Sequence, residues 1–292
     1  YTTLFRSGSD TALGTGPLTL NSGATIEATQ ADRDVANPLT INDSFTVGDG
    51  SGSDTLTFSG PATVTGDASV TIANVDGTTF AGALGLGANA FTVQADNPVD
   101  ITGDITGDNT LAKTGADTLT LAGDNAGFTG NLDIDNGQVD LNGNLGGSAT
   151  IDNATLNLAA DVSAGVTVNA GGNLTGAGTL GSLDVVGGTV TPGASLGTLD
   201  ITGDVTFDGS STYAVEVQAA LDGGTASDTL AVGGTALFNS GATIDVSQFG
   251  GGSAIDISEV FTIVTASDFG ATDINQINLN STVAGTSFEL NI

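Results

Sequence analysis

Carboxylates are the side chains from which this sequence could build a chemical site. The 292 residues include 29 Asp and 4 Glu but only 3 Lys or Arg, with no His or Cys, and the formal net charge is −30. Without His or Cys there is no Ser-His-Asp or Cys-His nucleophile, no His-ligated zinc and no disulfide. The negative charge opposes binding to nucleic acid and to anionic membranes. No apolar run approaches the ~20 residues of a membrane-spanning helix.

Two stretches approach the calcium-binding nonapeptide Gly-Gly-x-Gly-x-Asp-x-U-x, in which U is apolar. Residues 49–56 carry Asp49 in place of the first Gly, and residues 223–230 lack only the third Gly. Carboxylates suit calcium, but this motif binds metal between tandem copies, and the two stretches lie far apart. We therefore interpret both as Asp turns that lead into strands and predict no metal ligand. Whether the turns at Asp54 and Asp228 bind calcium stays open.

Two pairs of Asp are candidates for glycoside hydrolysis. Asp133 and Asp135 share one predicted strand, and Asp200 and Asp204 are also near each other. β-Helix enzymes can use two carboxylates in this way. Sugar sites of this kind normally also need aromatic platforms and cations, which the middle of the chain almost lacks. A solvated acidic face is therefore favoured, and we predict no catalytic or cofactor-binding residue.

Lys113 is the only basic residue after Arg33. The sequence does not assign either Asp117 or Asp124 as the partner of Lys113. The Gly-rich turns are not phosphate loops, because neither a GK[ST] motif nor a strand–GxGxxG–helix context is present.

Short apolar alternations separated by Gly, Asn and Asp predict β-strands along the whole chain. In the middle they repeat, because the first apolar residues of successive strand pairs follow one another at a nearly constant step: Leu132, Ala149, Val166, Leu183 and Leu199. A repeat this short cannot bury its own apolar face and must stack on its neighbours. The sequence therefore predicts an all-β protein that forms a parallel β-helix, or β-solenoid, extended as a rod.

The chain is predicted to have three parts. Residues 1–7 match the in-frame translation of a common short-read sequencing adapter, so we expect them to be non-native. Residues 8–207 are predicted to form the β-helix repeats. Residues 208–292, where strands lengthen and Phe and Tyr gather, are predicted to form a C-terminal cap or junction.

Several motifs resemble those of bacterial autotransporter passenger domains. The segment 111–139, with Leu-Ala-Lys-Thr-Gly-Ala-Asp-Thr-Leu-Thr-Leu-Ala-Gly at its start, is similar to the passenger-associated repeat, although Asp117 replaces the usual Gly and Phe128 the usual Tyr. The stretch 191–199, Thr-Pro-Gly-Ala-Ser-Leu-Gly-Thr-Leu, resembles the family's "PGxSxGTL" turn. Residues 213–265 resemble its pertactin-type junction. Lys113 stands where the passenger-associated repeat usually has Lys, and the resemblance therefore implies that it marks a corner or forms a local ion pair.

This resemblance implies a right-handed parallel β-helix that is exported to the bacterial surface, with a junction region that aids folding during secretion. We expect the chain to be a fragment, with an outer-membrane β-barrel translocator or another anchor encoded beyond it. The expected function is a non-catalytic rod or stalk, adhesive or structural, that meets a host surface, a neighbouring cell or an extracellular polysaccharide. The alternatives are a filament or matrix subunit joined end to end, and a polysaccharide-active β-helix enzyme.

Overall fold

The computed structural model describes residues 4–29, 31–50, 54–193, 195–219, 225–250 and 260–283. In these residues the chain is built from short β-strands, and its one helical element is the 3-10 turn Ile274–Gln276. Strands of successive coils pair in parallel, which confirms the predicted all-β, parallel β-solenoid class. The chain divides into two compact units, Tyr1–Ala149 and Thr150–Ile292, and each is described by itself.

In the first unit, a full coil contributes one strand to each of three parallel sheets. The first sheet contains β1 (Leu4–Ser7), β3 (Ala24–Ala28), β6 (Phe45–Val47), β9 (Ala68–Ile72), β12 (Phe91–Ala95), β15 (Leu111–Thr114) and β17 (Asn131–Ile134). The second contains β4 (Arg33–Val35), β7 (Leu56–Phe58), β10 (Thr78–Phe80), β13 (Val99–Ile101), β16 (Thr118–Leu121) and β18 (Gly137–Leu141). The third contains β2 (Leu18–Leu20), β5 (Leu39–Ile41), β8 (Ala62–Val64), β11 (Leu84–Gly87) and β14 (Ile105–Gly107). The division between the units falls within β19 (Ser148–Ile151).

Two of the three corners of these coils have a constant length of three residues. Those from the second to the third sheet are residues 36–38, 59–61, 81–83 and 102–104, and those from the third to the first are residues 21–23, 42–44, 65–67, 88–90 and 108–110. The corner from the first to the second sheet varies, from eight residues at 48–55 to two at 135–136. Variation in the length of these coils therefore enters mainly at one corner.

The core is formed by inward-facing residues that stack in register from coil to coil. In β5, Leu39 and Ile41 are buried and Thr40 is half-buried, which is the alternation expected of a strand with one face in the core. One buried column of the first sheet consists of Ala24, Phe45, Val70, Val93, Lys113 and Ile134. Outward positions carry polar ladders, such as Thr19, Thr40 and Thr63 on the third sheet.

A ladder of glycines lies at the corner that follows each strand of the second sheet from β7 to β18. Its members recur at nearly equal intervals in the sequence, at Gly60, Gly82, Gly103, Gly123 and Gly143. A Cβ added to any of the last four would lie 1.8 to 2.5 Å from the carbonyl oxygen of the glycine one coil earlier. The main chains of adjacent coils are therefore in direct contact here, and any side chain would push them apart.

We expect Gly103→Ala to destabilise the protein by about 3 kcal/mol or more, because its Cβ would meet main-chain atoms that cannot rotate away. The matched control is Gly85→Ala, where an added Cβ has its nearest neighbours at 3.8 Å and should be neutral or slightly stabilising. Urea unfolding of both variants measures the difference. Equal midpoints for the two would show that the glycine ladder does not constrain the coils.

In the second unit the coils use two main faces and longer strands. One face contains β20 (Ala154–Leu158), β22 (Asn173–Gly176), β24 (Thr189–Pro192), β27 (Thr212–Ala219), β31 (Thr243–Gln248) and β33 (Asn278–Ser281). The other contains β21 (Val162–Asn169), β23 (Thr179–Val186), β25 (Thr198–Ile201), β26 (Val205–Phe207), β29 (Thr229–Val232), β30 (Ala236–Phe238) and β32 (Val264–Thr265). β28 (Thr225–Ser227) pairs with β27 in antiparallel orientation.

The predicted repeat is partly right in this unit. Val166 and Leu183 are in register, as the constant step of the repeat requires. The next step, to Leu199, is wrong: Leu183 pairs with Val205, and Leu199 pairs with Leu230. The reason is that the single long strand β23 is followed in the next coil by two strands, with β25 against its first half and β26 against its second.

Beyond Phe207 the coils become longer and aromatic residues fill the core. Tyr213 is in register with Ile244, and Ile244 with Leu279, so the separation in sequence between stacked residues is wider here than between Val166 and Leu183. The rings of Phe207 and Phe238 stack with centroids 4.6 Å apart, and the Tyr213 hydroxyl donates to the Ile263 carbonyl at 2.7 Å. The predicted boundary between 207 and 208 stays a prediction. So does the non-native origin of residues 1–7, of which β1 pairs in parallel with β3.

Candidate functional site

Exposed corner aspartates link each coil to the next. Six of them accept a hydrogen bond from a backbone N–H one coil away, at 2.7 to 3.1 Å: Asp10 from Asp34, Asp32 from Thr55, Asp67 from Ala90, Asp104 from Asp124, Asp161 from Thr179 and Asp204 from Thr235. Four of these donors, Thr55, Ala90, Asp124 and Thr235, lie outside the strands, where a backbone N–H has few other partners. The short side chain of Asp reaches this N–H, which favours Asp over Glu at these six positions.

Asp208 shows the same role in its most elaborate form. Its Oδ1 accepts from the N–H of Gly187 at 3.2 Å, from the N–H and hydroxyl of Ser210 at 2.8 and 2.9 Å, and from the hydroxyl of Ser211 at 2.6 Å. Burial alone would raise the pKa of Asp208, but the hydrogen bonds from Ser211, Ser210 and Gly187 outweigh it and lower the pKa. The pKa of Asp32 is lowered by its hydrogen bond from Thr55. Both shifts favour the ionised form in the folded chain.

We expect the stability contributed by Asp208 to be lost in acid. Because its folded pKa is lowered, this stability is present above the unfolded value of about 3.9 and disappears as the pH falls through the folded pKa. Asp208→Ala should therefore be less stable than the unchanged chain at pH 5.5, and the difference should shrink at pH 2.5. Asp208→Asn, which keeps one acceptor oxygen, should fall between them at pH 5.5. Urea midpoints at both pH values provide the measurement, and a difference that does not change with pH would contradict the assignment.

The structure describes only part of each calcium candidate, because residues 51–53 and 223–224 lie outside the described residues. Asp228 is fully buried, and its two carboxylate oxygens accept from the N–H of Gly197 at 2.9 Å and of Glu216 at 2.8 Å. Burial, together with the charge of Glu216, raises the pKa of Asp228. The second turn therefore uses its carboxylate to join main-chain segments. In the first turn, Asp49 is exposed and Asp54 half-buried. Calcium binding stays untested at both turns.

The two predicted carboxylate pairs lie outside the core. Asp133 is half-buried and Asp135 exposed, and Asp200 and Asp204 are both exposed. Asp204 serves as one of the corner caps described above. Within the described residues, the rings that contact one another are core groups, 0 to 4% exposed: Phe58, Phe80, Phe207, Tyr213 and Phe238. Rings in these positions pack the interior and cannot act as platforms for a sugar.

The expected corner position of Lys113 is wrong: the residue lies within β15, and its side chain faces the inside of the coil. It is fully buried, and its Nζ donates to the carbonyl oxygens of Gly115 at 2.7 Å and Asn136 at 2.8 Å. Burial lowers its pKa from 10.5 to about 8, and the carboxylates of Asp117 and Asp96 oppose that shift. The sequence left its partner undecided; the amine is bound by main-chain carbonyls instead.

The buried Lys113 predicts an alkaline rise in stability. Because its folded pKa lies below its unfolded value, the unfolded chain binds more protons between about pH 8 and 10, and the free energy of unfolding should rise with pH by on the order of 2 to 3 kcal/mol. Above pH 10 the raised pKa of Tyr213, caused by burial, acts in the opposite direction. Denaturant unfolding at pH 8, 9 and 10 checks this. Lys113→Met should remove the rise, and a variant with an unchanged rise would contradict it.

Sequence reasoning missed the buried Asn125 as well as the aspartate caps. Asn125 Oδ1 accepts from the N–H of Ile105 at 2.9 Å, and its Nδ2 donates to the Gly123 carbonyl at 3.0 Å. Asn125 plays the same role as the aspartate caps, at a corner in the coil that follows β14, the last strand of the third sheet. The sequence does contain a signal for the aspartate caps. At Asp67, Asp104 and Asp204, the aspartate directly follows a Gly that ends a short apolar alternation.

Comparison with protein-family models gave no match, and neither did comparison with curated proteins. Among the described residues, no helix has the length and apolar character needed to cross a membrane.

Proposed function

We propose that this protein is a non-catalytic, rod-like passenger or stalk on the bacterial surface, secreted by an autotransporter-type route. The observation that carries this proposal is that aspartate carboxylates connect neighbouring coils. Eight aspartates hold coil to coil: six exposed ones, together with Asp208 and Asp228, accept main-chain N–H groups. This favours an architectural role over a catalytic one.

The outward surface supports the same proposal. Uncharged ladders such as Thr19, Thr40 and Thr63 alternate around the coils with acidic corners. A net charge of −30 keeps neighbouring molecules apart and discourages lateral pairing of exposed strands. Such a surface suits an extended spacer whose polar, hydrated face meets a host surface, another cell or an extracellular polysaccharide. The motifs shared with passenger domains supply the secretion route in this proposal.

Two experiments test the proposal. Antibodies against the purified chain should label intact cells of the bacterium that encodes it, and the label should disappear after external protease treatment. The gene should continue into a translocator barrel. Label that appears only after cells are permeabilised would overturn the surface assignment.

The purified chain should remain monomeric by light scattering and should release no reducing ends from neutral or acidic polysaccharides. Ordered filaments in electron micrographs would instead favour a self-assembling matrix subunit. Hydrolysis that is lost in Asp133→Asn or Asp200→Asn, but retained in the corner-cap variant Asp32→Asn, would favour a polysaccharide-active enzyme.

A further inference from the structure

Lys113 occupies a position that the rest of its column fills with apolar side chains. On the strands before and after it, the residues in register are Val93 and Ile134. Its side chain is completely buried. A buried amine needs hydrogen-bond acceptors around it, because burying it without them is strongly unfavourable.

The acceptors of Lys113 come from two successive coils. Gly115 belongs to the corner that follows β15, and Asn136 to the corner that follows β17, in the next coil. Both corners join the first sheet to the second, which is the corner whose length varies: three residues at 115–117 and two at 135–136. The amine therefore connects two corners of different length.

The corner is shaped around this amine. Gly137 has φ of +71°, and an added Cβ would lie 2.6 Å from Lys113 Nζ, 2.7 Å from the Asp117 carbonyl oxygen and 2.8 Å from that of Gly115. The charged groups that act on the amine here are Asp96, in the corner after β12, and Asp117. Any side chain at 137 would displace either the amine or the carbonyls that surround it.

We propose that Lys113 sets the register in which the coil of β17 and β18 docks on the coil of β15 and β16. A parallel strand can slip by two residues and keep its apolar face inward. In a column of Val, Ile and Leu such a slip exchanges one apolar contact for another. At Lys113 it would remove the Asn136 carbonyl and leave a buried N–H without an acceptor, so the slipped registers are penalised.

Introduced cysteines can report the register, since the chain has none of its own. Ala112 and Asp133 are in register on β15 and β17 and face outward. Cysteines at these two positions should form a disulfide in the native register, because adjacent strands are about 4.8 Å apart. Pairs between position 112 and either 131 or 135 report slips by two residues in the two directions, and they are about 8 Å apart in the native register, too far for a disulfide.

Each pair is placed in the unchanged chain, in Lys113→Met and in Ile134→Met, which perturbs the same column without removing a polar group. After refolding under mild oxidation, peptide mapping measures the disulfides. We expect the ratio of slipped to native disulfide to rise at least threefold with Lys113→Met and to stay unchanged with Ile134→Met. Lys113→Leu serves as a second apolar replacement if methionine is not accommodated. Equal ratios in all backgrounds would overturn the proposal, as would an equal rise with Ile134→Met.

Discussion

Main-chain hydrogen bonding between successive coils is the interaction on which the structure depends. The strands are mostly three to five residues long, so no coil can satisfy its own backbone or bury its own apolar face. Strand segments find partners through parallel pairing, but corners interrupt that ladder. Polar side chains, including the cap aspartates, Asn125 and Lys113, supply donors or acceptors to main-chain groups near these interruptions.

The fold class could be predicted because it follows from strand alternation and a short repeat. The register could be predicted only in part: the step from Val166 to Leu183 is confirmed, whereas Leu199 was misplaced when one strand became two. The longer period of the first unit was hidden because one corner varies from two to eight residues. The glycine ladder, with its nearly equal intervals, carried that period with less scatter than the apolar positions did.

The candidate sites were harder to predict because they depend on which coil neighbours which. Leu111 and Lys113 are two residues apart, so alternation alone places the lysine inward, but nothing local indicates that its acceptor lies 23 residues further on, at Asn136. The abundant carboxylates suggested a solvated face. Many of them are indeed exposed, yet they also hold neighbouring coils together, and this role became visible only when the corners were aligned.

The contrast between corners has an evolutionary consequence. Along the glycine ladder, main chain touches main chain, and neither a larger residue nor an insertion can be accommodated without separating two coils. The corner between the first and second sheets already tolerates segments of very different length. Longer loops can therefore be acquired at the variable corner while the glycine corner stays fixed, so that the surface of such a protein can change during evolution without a change of fold.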